Sequence, residues 1–272
     1  METFSYYVQL DELFKECMKD LSAEEKGLFC KDGLMLKAYK TEKSLDTLWD
    51  ESKRRVMFVL KDKNTPDGDD TRLWLLDGKN GEASRNLKGG NVGRTGFLPN
   101  IARMLYGLVV DTKGYDDLKG EMDKVVEVWN TIPFAFIEAK KRAGYSSVEK
   151  EEIEAALSKS DGAILMREIE ILNPNIIVCC DAEDTQFDYI TCHFEKLDQD
   201  KLVFEYNYPK SPYFPCCLWY YKSLKKAVIK SYHPTRLGKS EEWIIHERVI
   251  SPFRQLLTNV NDPFDSIISK KL

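Results

Sequence analysis

The feature that most limits what this chain can fold into is the run Val56-Met57-Phe58-Val59-Leu60, which gives way at once to Lys61, Asp62, Lys63 and Asn64. A strand with one face in water alternates apolar and polar residues. A strand with no polar position must be covered on both faces. The run therefore predicts a buried strand in a sheet with layers on either side. In open α/β sheets the reacting groups gather beyond the carboxyl ends of such strands. Asp62 and Asn64 stand at that position and read as the floor of a site. The same stretch, continuing into Pro66, Asp67 and Gly68, is also what a turn uses for its backbone geometry alone, and both readings stay open at this point.

Three further runs repeat the pattern. Residues 124–136, KVVEVWNTIPFAF, predict a second strand from their β-branched and aromatic content, with Asn130 and Thr131 at its end before Pro133. Residues 175–180, NIIVCC, predict a third, and 226–231, KAVIKS, a fourth that runs into Tyr232, His233, Pro234 and Thr235. Helices are expected over 3–20, after Ser22 (where S-A-E-E resembles a capping sequence), over 44–53, from Phe97, over 147–158 and 162–172, and as a closing helix over 241–257. Residues 182–194 read as helical or irregular, and 202–208 as an added edge strand that the 216–221 run can pair with. The alternation predicts an α/β fold: a three-layer α/β/α sandwich around a four-stranded parallel sheet, with the polar strand ends along one edge. The chain reads as one domain over 1–272, residues 1–45 being a helical N-terminal elaboration.

Composition excludes several alternatives. With 43% hydrophobic residues in 272, a core of this kind can be filled. No apolar run approaches the roughly 20 residues of a membrane span, and the first residues show no basic region followed by an apolar core, so a cytoplasmic protein without a membrane partner is expected. The seven cysteines include no C-x-x-C pair, which argues against a disulfide framework or structural zinc. Net charge is −5, yet residues 83–104 carry Arg85, Lys88, Arg94 and Arg103 with no acid, and 222–239 carry Lys222, Lys225, Lys226, Lys230, Arg236 and Lys239 with none. Both flank the strand-end loops, which points to a polyanionic partner. Gly93, Arg94, Thr95 and Gly96 lead into the Phe97 helix, where glycines let backbone N–H groups approach an anion or serve only as punctuation.

The strand ends thus offer Asp62 and Asn64, Asn130, and His233. Pro234 suits the first position of a helix, which puts His233 where N–H groups converge and favours a neutral imidazole. The pieces K-D-K-N (Lys61 to Asn64), V-G-R-T-G (Val92 to Gly96), W-N-T (Trp129 to Thr131) and H-P-T (His233 to Thr235), in that order, resemble the uracil-DNA glycosylase superfamily. The run I-E-I-L-N-P-N-I-I-V before Cys179 looks like that family's third core strand and the helix feeding it, and the resemblance spans residues 55–255.

The resemblance implies cleavage of the N-glycosidic bond of uracil or a related damaged base in DNA, after the base has left the stack and entered a pocket. It implies that Asn130 pairs with the pyrimidine edge, with Asn64 beside the base, that His233 donates to the base oxygen gaining charge, and that Asp62 steadies the sugar cation and orients water. Gly93, Arg94, Gly96, Thr235 and Arg236 would contact the nucleic-acid backbone; no cofactor or metal is implied, and a monomer is favoured. Three departures stand out. Asn91 replaces the aromatic residue that stacks on the base in many members, leaving Trp74 or Phe97 to substitute. Lys61 replaces a usual glycine. The four spaced cysteines that hold an iron–sulfur cluster in some branches are missing. Asn91 and Lys63 at the motif positions keep open a weak or inactive module of the same fold that binds nucleic acid or base, and an enzyme acting on a free nucleoside or nucleotide is a third expectation.

Overall fold

The computed structural model describes residues 5–37, 43–63, 65–75, 97–110, 121–144, 148–181, 184–206, 216–234, 248–261 and 263–264. Its strands are β1 (Gly33–Leu34), β2 (Val56–Leu60), β3 (Phe134–Glu138), β4 (Ile176–Cys180), β5 (Lys201–Tyr206), β6 (Cys216–Tyr221) and β7 (Lys226–Ser231). They form one sheet in the order β1-β3-β2-β4-β7-β6-β5. The sheet is mixed and seven-stranded, not four-stranded and wholly parallel as expected. The central strands β3, β2, β4 and β7 run parallel. The two-residue β1 and the β5–β6 hairpin add antiparallel strands outside them. Residues 1–45, expected to be helical, thus also supply an edge strand.

The helices are α1 (Tyr6–Cys17), α2 (Ala23–Leu28), α3 (Leu45–Glu51), α4 (Phe97–Val109), α5 (Met122–Thr131), α6 (Lys150–Leu157), α7 (Ser160–Leu172), α8 (Thr185–Glu195) and α9 (Ser251–Val260). Local chemistry sets several ends. The Glu25 N–H donates to Ser22 Oγ while the Ser22 N–H donates to Glu25 Oε2, a reciprocal cap that opens α2. Asn173, in the left-handed region at φ 44°, closes α7 just before Pro174. The closing helix is described only in its later part, residues 241–247 lying outside the described residues. Among the described residues, no helix is long and apolar enough to cross a membrane.

Alternation along the strands divides the core in two. Val56, Phe58, Leu60, Phe134, Phe136, Val178 and Ile229 pack on one face with residues of α4, α5 and α9. Met57, Val59, Ala135, Ile137, Ile177 and Val228 pack on the other with residues of α1, α3, α6, α7 and α8. Every position of β2, β3 and β4 is buried, as a strand without polar positions demands.

The second strand departs from expectation. Residues 122–131 are helical, and the buried residues of α5, Val125 and Trp129, lie one turn apart. That period outweighs the β-branched content that suggested a strand. The strand begins only at Phe134, after Pro133, and ends at Glu138. Asn130 therefore precedes the amino end of β3. The five residues of β3 span about 16 Å at the rise of a strand, and they put Asn130 at the sheet edge opposite the carboxyl ends.

Candidate functional site

At the carboxyl edge, where β2, β3 and β7 end, a cavity of about 360 Å³ opens beneath the turn at Thr71 and the start of α4. This is within the roughly 300–1,000 Å³ of small-molecule sites. Trp74, Phe97 and Phe136 form an aromatic wall, and Asp62, Thr71, Glu138 and His233 bring polar groups to it. Phe97 is the hub: its ring centroid lies 6.0 Å from that of Trp74, 5.7 Å from Phe136 and 5.6 Å from the imidazole of His233, the last pair stacked at 24°. Trp74 and Phe97 are half-buried, and their exposed ring atoms can pack against a planar ligand.

Asp62 is held by an extension of β-pairing beyond the strand ends. The Ala139 N–H donates to Leu60 O at 2.9 Å, the Lys140 N–H to Lys61 O at 2.9 Å, and the Gly144 N–H to Lys63 O at 3.0 Å. The Asp62 Oδ2 lies 3.5 Å from Lys140 Nζ. Burial pushes the Asp62 carboxyl above its ordinary value, and Lys140 opposes the shift. A Cβ on Gly144 would stand 2.1 Å from that oxygen, so only glycine leaves the carboxylate in place. Gly144→Ala is expected to displace the Asp62 carboxylate from its place beside Lys140. A crystal structure of the variant checks this, and an Asp62 side chain left in place would contradict it.

His233 follows β7 and is fixed from the other side of the cavity. The buried Asn100 of α4 donates from Nδ2 to Pro234 O at 2.6 Å, which ties the His233 loop to the helix that carries Phe97. Burial, with a smaller contribution from the positive charge of Lys61, lowers the imidazole pKa to about 4. His233 is therefore neutral near neutral pH. The expected cause was a helix beginning at Pro234; residues 235–247 lie outside the described residues, and burial suffices.

Glu138 was missed by sequence reasoning. It ends β3, directly opposite Leu60 in the register, and shares the face of Phe134 and Phe136. It is 3% exposed. Burial, then repulsion from Asp32, raises its pKa to about 8, against the pull of Lys141. Its Oε2 and the Thr71 Oγ1 are both buried without a hydrogen-bond partner among the described residues, whereas the Asp62 Oδ2 faces Lys140. Each such atom costs about 1–3 kcal/mol when left unpaired. Two residues carrying such atoms, Glu138 and Thr71, line one cavity and mark a place suited to a polar ligand. A signal was present in the sequence: F-A-F-I-E after Pro133 is an apolar run ending in an acid, the same pattern that identified Asp62.

Of the expected site residues, Asp62, His233 and Trp74 come together in the cavity, and Phe97 joins them. Asn130 does not, since it lies at the far edge on α5. Asn64, Gly93, Arg94, Gly96, Thr235 and Arg236 lie outside the described residues. Arg103, Lys222, Lys226 and Lys230 of the two basic segments are tied into the fold. Arg103 is 4% exposed and donates to Asn100 Oδ1 at 3.3 Å. Lys226, at the amino end of β7, donates to Asn173 Oδ1 and Pro174 O at 2.7 Å each. Lys222 pairs with Asp200 at 2.9 Å, and Lys230 pairs with Asp184. No protein-family model matches the chain, and no curated protein matches it.

Proposed function

We propose that the cavity holds an unstacked nucleobase, and that the chain is a DNA glycosylase-like hydrolase for uracil or a related damaged base, a three-layer sandwich of the uracil-DNA glycosylase type. The observation that carries this reading is the meeting of Asp62 and His233 with the aromatic wall of Trp74, Phe97 and Phe136 in one cavity at the strand-end edge. Stacking on such side chains stabilises a bound base by about 1–3 kcal/mol. Breaking the C1′–N bond sends its electron pair to the base and leaves positive charge on the sugar. A neutral His233 N–H donates to the base oxygen that gains charge. The Asp62 carboxylate steadies the sugar and takes a proton from water as the water oxygen bonds to C1′. The base then leaves as an anion and is protonated by solvent.

His233→Ala is expected to lower turnover about 100- to 1,000-fold, the usual effect of losing one donor to a developing anion. Asp62→Asn is expected to lower it about 100-fold or more. Chromatographic assay of free base released from a uracil-containing oligonucleotide measures both. Absence of release from single- and double-stranded substrates by the purified protein would remove the hydrolase reading.

Two specific observations support other readings. Lys222 and Lys226, at the end of the sheet opposite the cavity, are engaged with Asp200 and Asn173, which favours a free nucleoside or nucleotide over a polymer. Release from deoxyuridine matching that from DNA would establish this. The proximity of Asp62 to Lys140 favours a binding module. Salt-dependent binding to DNA without turnover is its signature.

A further inference from the structure

We propose that Glu138 sets the specificity of the cavity by reading, as a neutral carboxylic acid, the edge of a lactam base: its carbonyl oxygen accepts the ring N–H and its hydroxyl donates to the adjacent ring carbonyl. The inference rests on the nucleobase reading of the cavity and names the edge that the cavity selects.

The geometry supplies the argument. Glu138 lines the same cavity as the aromatic wall, and its Oε2 has no hydrogen-bond partner among the described residues. Its backbone is anchored: the Glu138 N–H donates to Asp32 Oδ2 at 2.6 Å, and Lys141 Nζ donates to the same oxygen at 2.7 Å. Lys141 Nζ also lies 2.6 Å from Glu168 Oε2. Lys141 is thus held by Asp32 and Glu168, and Lys63, which lines the cavity, is held by Asp69 at 2.6 Å. Around the Glu138 carboxyl stand Asp32 and Lys141 from the flanks of β1 and β3, Asp62 and Lys63 from the loop after β2, and Cys180 at the end of β4, with His233 lining the same cavity. Burial keeps the acid protonated to about pH 8. A protonated carboxyl presents one donor and one acceptor, the complement of a lactam N–H beside its C=O. A carboxylate presents acceptors only and repels the ring carbonyl.

Binding of a lactam base should therefore weaken as pH rises through the titration of Glu138. The test is equilibrium titration of the full chain with uracil, and with a short DNA strand carrying one deoxyuridine, for wild type, Glu138→Gln and Glu138→Leu. Thermal melting establishes that each variant is folded. Wild-type affinity is expected to fall about tenfold between about pH 7 and about pH 9, the range over which one group of this kind loses its proton. Glu138→Gln keeps a donor and an acceptor at every pH, so its affinity should stay level. Glu138→Leu should bind at least about tenfold more weakly than wild type at about pH 7, having lost both hydrogen bonds. Equal, pH-independent binding by all three proteins would overturn the role of Glu138 and leave the nucleobase reading standing. Absence of binding by every protein at every pH would overturn both.

Discussion

Lys141→Met is expected to lower the stability of the folded chain by about 3–5 kcal/mol, the cost of removing one partner from a buried ion pair. Lys141, Asp32 and Glu168 have fully buried side chains, and Lys141 Nζ sits 2.7 Å from Asp32 Oδ2 and 2.6 Å from Glu168 Oε2. Burial alone would lower the Lys141 pKa, yet the two acids hold it above its ordinary value. Burial and the neighbouring Asp32 push the Glu168 carboxyl well up. Without the lysine, Asp32 keeps its contact to the Glu138 N–H but loses its counter-ion in a dry interior. Urea denaturation measures the loss. Adding Asp32→Asn to Lys141→Met should recover part of it, because the stranded charge is then removed. A midpoint unchanged in Lys141→Met would mean that water reaches this cluster.

Glu138→Gln is expected to act in the opposite direction and stabilise the protein. The folded-state pKa of Glu138 is raised from 4.5 to about 8 by burial first. Below about pH 4.5 the carboxyl is protonated in both the folded and unfolded chains, and it contributes no pH dependence. Between there and about pH 8 the unfolded chain has released its proton while the folded chain keeps it. Stability is therefore lost as pH rises through this window, and the loss levels off above the folded pKa. A shift of this size corresponds to about 5 kcal/mol. The glutamine variant lacks that loss, so it should exceed wild type by this order near pH 8 and match it near pH 4. Denaturant titrations at the two pH values check it. Identical pH dependence in variant and wild type would mean that Glu138 ionises normally. The gain in stability should accompany loss of the pH response in ligand binding, the trade-off found where a site is kept at the expense of the fold.

Much of this arrangement was legible in the chain because burial on both faces leaves a simple trace. The runs at Val56, Ile176 and Lys226 became parallel strands, and the polar residues after them fell on one edge. Asp62 and His233 could be named from that logic alone, and Phe97 and Trp74 were the aromatics at hand. The second strand was not legible. Val125, Val126, Val128 and Trp129 have strand-favouring side chains, but Val125 and Trp129 share a helical face, and tertiary burial decided between the two periods. Moving the strand from Asn130 to Phe134 also moved its end to Glu138, which replaced an amide with an acid in the site. The engagement of the described lysines was not legible either. Their partners, Asn173, Asp184 and Asp200, are distant in sequence, so a charge run gave no sign that it was already engaged. Nor could the sequence show that Lys141 is neutralised within the core.

The cavity's role can be tested most directly by a crystal structure of the full chain with uracil at saturating concentration. The expected result is the ring stacked on the wall of Phe97, Trp74 and Phe136, its N–H and C=O edge against Glu138 and an exocyclic oxygen toward His233. A cavity left without the base, or a base bound elsewhere on the protein, would contradict the assignment of this site.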